Sequence, residues 1–319
     1  MTNLFANQCD ILSNADEITK DQWLEIRMMG LGGSDVGAIF GLSKYKTPFA
    51  VYQDKIGAGQ PVEDNLAMNL GRKLEQTVAD LFCETTGMQV AHYPYMLSHK
   101  QYPHMMANLD RLVLDDDGNV VAGLECKTAL SIGGAAQWAE DAVPYSYLLQ
   151  CYHYMIVTGL KRWYIAAITA GPKFVYHEIV LDEDIVTSIV EKELEFWQRV
   201  IKHDPPMVTG DDIYLIEQSF VPAIDHASVL ALPESAASFI TEYQQASTEE
   251  KEAKGRKDNA KAQLCQMLAG YDKGVVGNKT VSWTPVTTSR LDTDRIKKEA
   301  PHLYEMYAKT DTSRRFSIK

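Results

Sequence analysis

Ala107-Asn108-Leu109-Asp110 and Leu124-Glu125-Cys126-Lys127 are the two stretches whose reading decides the fold. Leu109 to Leu114 alternates as a strand, Asp115-Asp116-Asp117-Gly118-Asn119 is a surface turn, and Val120 to Cys126 is the return strand. Side chains alternate across a strand, so Glu125 and Lys127 share one face and Cys126 takes the other. The hairpin brings Asp110 opposite them. Two carboxylates and an ammonium converging on one spot suit phosphodiester hydrolysis. Paired carboxylates bind hard divalent cations such as Mg²⁺, which keep waters and accept phosphate oxygens. The lysine can orient or deprotonate an attacking water, or neutralise the charge that develops on phosphorus. Without a cation the two carboxylates resist joint ionisation.

Outward from the hairpin, helical spacing of Leu70, Leu74, Val78, Leu81 and Phe82 predicts a helix from Leu66 to Gly87, with Gly87 as its stop. Upstream, Asp21 to Met28 reads as a short helix. Gly30-Leu31-Gly32-Gly33 breaks it, and a second helix follows over Val36 to Phe40, N-capped by Ser34 or Asp35. Downstream, Pro144 precedes a helix from Tyr145 to Val157, closed by Gly159. Strands are expected over Trp163 to Thr169 and Phe174 to Leu181, and a long amphipathic helix over Asp184 to Lys202. This order implies an α/β core, a short mixed sheet flanked by helices, over residues 1–222. Residues 223–319 read as a helical C-terminal extension: a polar arm over Pro233 to Ala269 with interleaved Glu and Lys, a small hairpin around Asn278, and a basic tail containing Lys297, Lys298, Arg314, Arg315 and Lys319.

Composition narrows the function classes. The 319 residues are 45% hydrophobic and 23% charged, with a formal net charge of −12. The acid is unevenly placed: residues 1–220 hold 16 Lys+Arg against 30 Asp+Glu, whereas residues 221–319 hold 15 against 13. Such a balance argues against coating nucleic acid by bulk charge, but not against an enzyme with metal-holding carboxylates and a local basic track. No run has the ~18–20 apolar residues of a membrane span, and Met1 to Asn7 has no secretion signal. The five cysteines are odd in number, widely spaced and without a CxxC pair, so reduced thiols are expected. The eight histidines have no zinc-site spacing, and the glycine-rich stretch lacks the G-K-[ST] ending of a P-loop.

Asp110, fourteen intervening residues, then Glu125-Cys126-Lys127 resembles the D-(x)n-E-x-K signature of the PD-(D/E)XK nuclease superfamily. Gly71-Arg72-Lys73-Leu74-Glu75 resembles the G-x-x-x-E helix that precedes the core in its exonuclease branch, and Gln150-Cys151-Tyr152-His153-Tyr154 the Q-x-x-x-Y helix that follows it. Trp23 to Arg27, Gly32-Gly33-Ser34-Asp35 and Tyr45-Lys46-Thr47-Pro48 resemble the N-terminal element of the YqaJ-like phage recombinases, relatives of phage lambda exonuclease. The elements stand in family order over roughly residues 21–200.

The resemblance implies a Mg²⁺-dependent exonuclease, with Mn²⁺ as substitute and two ions per site. Such an enzyme resects double-stranded DNA 5′→3′ from an end and leaves a 3′ single strand for a phage annealing protein. It implies Asp110 and Glu125 as metal ligands, the Cys126 backbone carbonyl as a ligand of the second ion, and Lys127 as the catalytic lysine. Glu75 is expected at the edge of the metal site, as a ligand through water or a hydrogen-bond partner. Arg27, Ser34 and Gln150 match positions that bind the 5′ phosphate. A helix N-terminus and a planar guanidinium both suit an anion, and Tyr154 shares the helix face of Gln150. The resemblance further implies a homo-oligomer in the cytoplasm of a bacterial host, encoded by a phage or prophage. The C-terminal extension departs from the simplest relatives, which leaves a toroidal trimer or another assembly open; a further reading makes it an adaptor for the annealing protein or for self-assembly. Two other readings use the same core: a restriction or resolvase-like endonuclease, and a non-catalytic DNA-end-binding module, which needs no Asp110, Glu125, Lys127 triple.

Overall fold

Hydrophobic periodicity in the first two-thirds of the chain becomes two sheets and their covering helices. The computed structural model describes residues 3–59, 64–219, 229–309 and 315–318. It divides into two units, Met1–Ser219 and Phe220–Lys319. The boundary expected between residues 222 and 223 lies outside the described residues, as do Arg314 and Lys319 of the basic tail.

The first unit opens with β1 (Cys9–Asn14), α1 (Lys20–Met28), β2 (Leu31–Gly32), α2 (Gly33–Ile39), α3 (Pro48–Lys55) and α4 (Leu66–Thr86). Next come β3 (Gln89–Ala91), β4 (Tyr95–His99), β5 (Met105–Asn108), β6 (Arg111–Leu114) and β7 (Val120–Ala129). It continues with α5 (Ile132–Ala135), α6 (Tyr145–Thr158), β8 (Arg162–Thr169), β9 (Lys173–Val180), α7 (Glu183–Lys202) and α8 (Ile213–Ser219). The main sheet runs in the order β3-β6-β7-β8-β9. Its pairs are antiparallel except β7 with β8, which are parallel and joined through α6. A second sheet has the order β1-β4-β5-β2.

The main sheet lies between two helices. On one face Val78, Ala79 and Phe82 of α4 pack on Val113, Ala122, Leu124, Tyr164 and Ala166. On the other, Cys151 and Met155 of α6 pack with Trp163, Ile165 and Ala167. Leu124 therefore faces α4, while Glu125 and Lys127 face α6. A third cluster joins Ala38 and Ile39 of α2, Val51 and Tyr52 of α3, and Phe196 and Val200 of α7. The caps follow from local chemistry. Thr19 and Gln22 form a capping box on α1. Gly87 closes α4 in the left-handed region, φ 74°, where a residue with a Cβ would be strained.

Two expectations need correction. Asp110 is not on a strand: β5 ends at Asn108 and β6 begins at Arg111, so Asp110 occupies the bend where the chain passes from one sheet to the other. The second helix starts earlier than the apolar run suggests. Gly32 is its N-cap, and Asp35 sits three residues inside, where its carboxylate accepts from the Gly32 N–H at 3.1 Å.

In the second unit, α9 (Ala236–Leu268) is followed by a hairpin of β10 (Lys273–Val276) and β11 (Lys279–Ser282), then α10 (Thr293–Glu299) and α11 (Pro301–Tyr307). Leu268 is the one apolar side chain of this unit that is buried among the described residues.

Candidate active site

Strand geometry places the central pair. Glu125 and Lys127, two apart on β7, project from the same face, and the Lys127 ammonium donates to Glu125 Oε1. Arg111 of β6 is opposite Leu124, so the preceding bend carries Asp110 up to the same point of β7. There the Cys126 N–H donates to Asp110 Oδ2 at 2.8 Å. From α6, Gln150 Nε2 donates to Glu125 Oε1 at 2.7 Å and also contacts the Tyr154 hydroxyl at 3.0 Å. The Lys127 Nζ also lies 4.9 Å from the centre of the Tyr147 ring, a cation–π contact.

The charges are strongly coupled. Burial raises the Asp110 carboxyl well above its ordinary value, and the Glu125 charge adds to this; Lys127 offsets part of it. For Lys127, burial works against the charged form, but Glu125 and then Asp110 outweigh it and hold the ammonium above its ordinary range.

Glu75 of α4 is claimed by Arg111, whose Nη1 is 2.8 Å from its Oε1, while Arg111 Nη2 donates to Gln76 Oε1 at 2.9 Å. Its charge still reaches Asp110, where it acts to raise the carboxyl's pKa. Among the described residues no group of three His, Cys, Asp or Glu side chains is placed to hold an ion by itself. The side-chain donors at this point are thus Asp110 and Glu125, with the Cys126 carbonyl on the same strand. Glu125 is 2% exposed, yet its Oε2 has no hydrogen-bond partner. A buried, unpartnered carboxylate oxygen costs free energy unless something positive meets it. Hard oxygen donors of this number fit an ion that retains several waters, as Mg²⁺ does.

A second cluster lies on α1 to α3. Asp35 is 1% exposed and faces Lys55 at 2.7 Å, Arg27 at 3.5 Å and Lys46 at 3.5 Å. Burial opposes its charge, but Lys55, Arg27 and Lys46 together hold the carboxyl far below the usual range. Arg27 Nη2 also donates to Ser34 Oγ at 3.0 Å, and its guanidinium lies 4.8 Å from the Trp23 ring centre. Arg27, Ser34, Trp23, Asn108 and Tyr154 line one cleft of about 40 Å³, room for no more than a few waters. Its wall requires glycine: a Cβ on Gly33 would stand 2.7 Å from the Tyr154 ring.

The structure thus brings Asp110, Glu125, Lys127 and Gln150 together, and Arg27, Ser34 and Tyr154 line a separate cleft. Gln150, expected at the 5′ phosphate, has its amide nitrogen on Glu125 Oε1 and the Tyr154 hydroxyl. Sequence reasoning missed Lys55 and the role of Lys46 as an Asp35 partner, because isolated lysines on unremarkable segments carry no motif. It also missed the buried pair His153–Glu193, 2.8 Å apart, with His153 Nε2 2.8 Å from the Met106 carbonyl. The five cysteines are free, as their spacing implied.

The first unit is a mixed α/β fold in which Glu125 of β7 meets Asp110 from the preceding bend. Residues 22–161 match the YqaJ-like viral recombinase domain. The chain is 31% identical over 98% of its length to the uncharacterized protein YqaJ of Bacillus subtilis, and covers 98% of that protein. It belongs to the YqaJ-like viral recombinase family. Among solved structures it is similar to an alkaline exonuclease, LHK-Exo, from Laribacter hongkongensis, at 18% identity and TM-score 0.48, over 58% of this chain and 94% of that one. It is also similar to a phage-related exonuclease from Haemophilus somnus, at 13% identity and TM-score 0.42, over 57% of this chain and 99% of that one. No helix among the described residues is long and apolar enough to cross a membrane.

Proposed function

We propose that this protein is a Mg²⁺-dependent exodeoxyribonuclease that resects double-stranded DNA 5′→3′ from an end, leaving 3′ single strands for a phage annealing protein. The observation that carries the reading is the meeting of Asp110, Glu125 and Lys127, with Glu125 Oε2 buried and unpartnered. Asp110, Glu125 and the Cys126 carbonyl would hold the divalent ion, Mn²⁺ serving as substitute and a second ion completing the site. When bound, the ion supplies a water of lowered pKa and a positive charge for the leaving oxygen.

The chain's own residues do the rest. Gln150 fixes Glu125 by donating to Oε1. Lys127 orients or deprotonates the attacking water, or neutralises charge developing on the phosphoryl oxygens. Arg27 and Ser34 bind the 5′ phosphate at the Tyr154-lined cleft, with Asp35 bracing the guanidinium. The enzyme works as a homo-oligomer on DNA ends in the cytoplasm of the bacterial host.

Digestion of linear duplex labelled at either end, with and without a 5′ phosphate, in Mg²⁺ or EDTA, tests this. The expected result is loss of the 5′ label in Mg²⁺ alone, faster with the phosphate, and an intact covalently closed circle. Cutting of the circle would instead show an endonuclease, and end binding with no cleavage in any divalent metal would show a binding module.

A further inference from the structure

Within its own unit, the described residues leave one face of α9 largely uncovered. The helix is 33 residues long, about 50 Å, and of its whole length only Leu268 is buried. A helix this exposed gains little from packing, the usual source of helix stability in folded proteins. Its residues repeat in sevens. Phe239, Ala246, Ala253, Ala260 and Met267 fall on one edge of a seam, and Ala236, Tyr243, Glu250, Lys257 and Leu264 on the other. The large apolar members sit near the ends and are exposed: Phe239 74%, Tyr243 51%, Met267 77%. The ring of Phe316 rests edge-on against Tyr243 at 5.2 Å, so one seam position already takes an aromatic contact from its own chain. The two central charges are opposite, and neither Glu250 nor Lys257 has a side-chain partner among the described residues.

This pattern is complementary to itself reversed. Laid antiparallel about Gly255, the seam sets Tyr243 against the second copy's Met267, and Ala246 against the second copy's Leu264. Tyr243 and Met267 fill against each other, Leu264 packs over Ala246, and the alanines allow close approach at the centre, while Phe239 falls opposite a position beyond the end of α9. Glu250 falls beside the second copy's Lys257, twice by symmetry. Laid parallel and in register, Glu250 would meet Glu250 and Lys257 would meet Lys257, a repulsive arrangement. We propose that two copies of this chain associate through the α9 seam, antiparallel, with the Glu250–Lys257 pair selecting the orientation. The inference rests on α9 alone and stands apart from the nuclease reading, which uses no residue of this helix.

Charge exchange on the full-length protein tests it. The mass in solution at micromolar concentration should be that of a dimer or its multiple. Glu250→Lys turns both cross-pairs repulsive and should weaken association about tenfold or more, whereas the double variant Glu250→Lys/Lys257→Glu restores it. On a Cys265→Ser background, mixing Tyr243→Cys with Met267→Cys should give the mixed disulfide. A monomer, an assembly whose mass and dissociation ignore Glu250→Lys, or a Tyr243→Cys homodisulfide in place of the mixed one would overturn the proposal.

Discussion

Asp35→Asn isolates one charge from everything else at its position. Asn keeps the size of the side chain and an oxygen that can still accept from the Gly32 N–H, so the start of α2 survives. What disappears is the negative charge facing Lys55, Arg27 and Lys46. Lys55 is the sensitive partner: its side chain is 4% exposed, burial already lowers its pKa, and its other hydrogen bond goes to the Arg27 carbonyl at 2.9 Å. Breaking a buried pair by neutralising one member typically costs about 3–5 kcal/mol, because the remaining charge stays desolvated. We therefore predict a loss of about 3–5 kcal/mol in denaturant unfolding at pH 7, and about 1 kcal/mol more for Asp35→Ala, which also removes the acceptor for Gly32. The pH dependence has a definite sign. The folded-state pKa of Asp35 is depressed, so its stabilisation is complete above the unfolded value of about 4 and disappears as pH falls below it. The gap between wild type and Asp35→Asn should narrow below about pH 4. A gap under ~1 kcal/mol at pH 7, as for an exposed pair, or one that stays constant on acidification, would refute the claim that this carboxylate braces the cations.

Lys127→Ala should abolish cleavage while leaving duplex binding intact, read by end-label release beside a gel-shift titration. Asp110→Asn should behave differently with and without metal. The Asp110 pKa is raised in the folded state, so the metal-free wild type loses stability as pH rises through that value; the Asn variant, lacking this charge, should melt higher in EDTA near neutral pH and gain nothing from added Mg²⁺. Gln150→Leu removes a donor from Glu125 and should slow cleavage by about tenfold or more, with weaker protection of the fold by Mg²⁺ in melting curves. Gly33→Ala should weaken the preference for a 5′-phosphorylated end, measured as the ratio of rates on the two substrates, because the new methyl displaces Tyr154 from the cleft.

The site was legible where backbone periodicity fixes it. Glu125 and Lys127 share a face because strands alternate, and Gly87 and Gly159 end helices because both adopt positive φ. Asp110 was placed correctly in space but wrongly on a strand, since alternation cannot reveal that the chain changes sheets at Asn108. The second sheet was invisible for a related reason. Its strands β1 and β4 are short and pair across more than eighty residues of sequence, with a register shift between Ile11 and Ser13 that breaks any period. The convergence of Lys46, Lys55 and Arg27 on Asp35 depends on how three helices cross, and no local pattern encodes it. The same holds for His153–Glu193, which joins α6 to α7.

The double duty of Gln150 has a consequence for how the reacting centre is kept ready. Both contacts of its Nε2, to Glu125 and to the Tyr154 hydroxyl, are formed in the folded chain. Glu125 is therefore locked in one orientation before any substrate arrives, and the ordering of that side chain is completed during folding instead of being repeated in every turnover. Tyr154 belongs at once to this lock and to the wall of the cleft beside Arg27. If the proposed reading holds, a terminal phosphate seated in the cleft would touch the same side chains that aim the carboxylate, tying the place where an end is held to the place where a bond is cut.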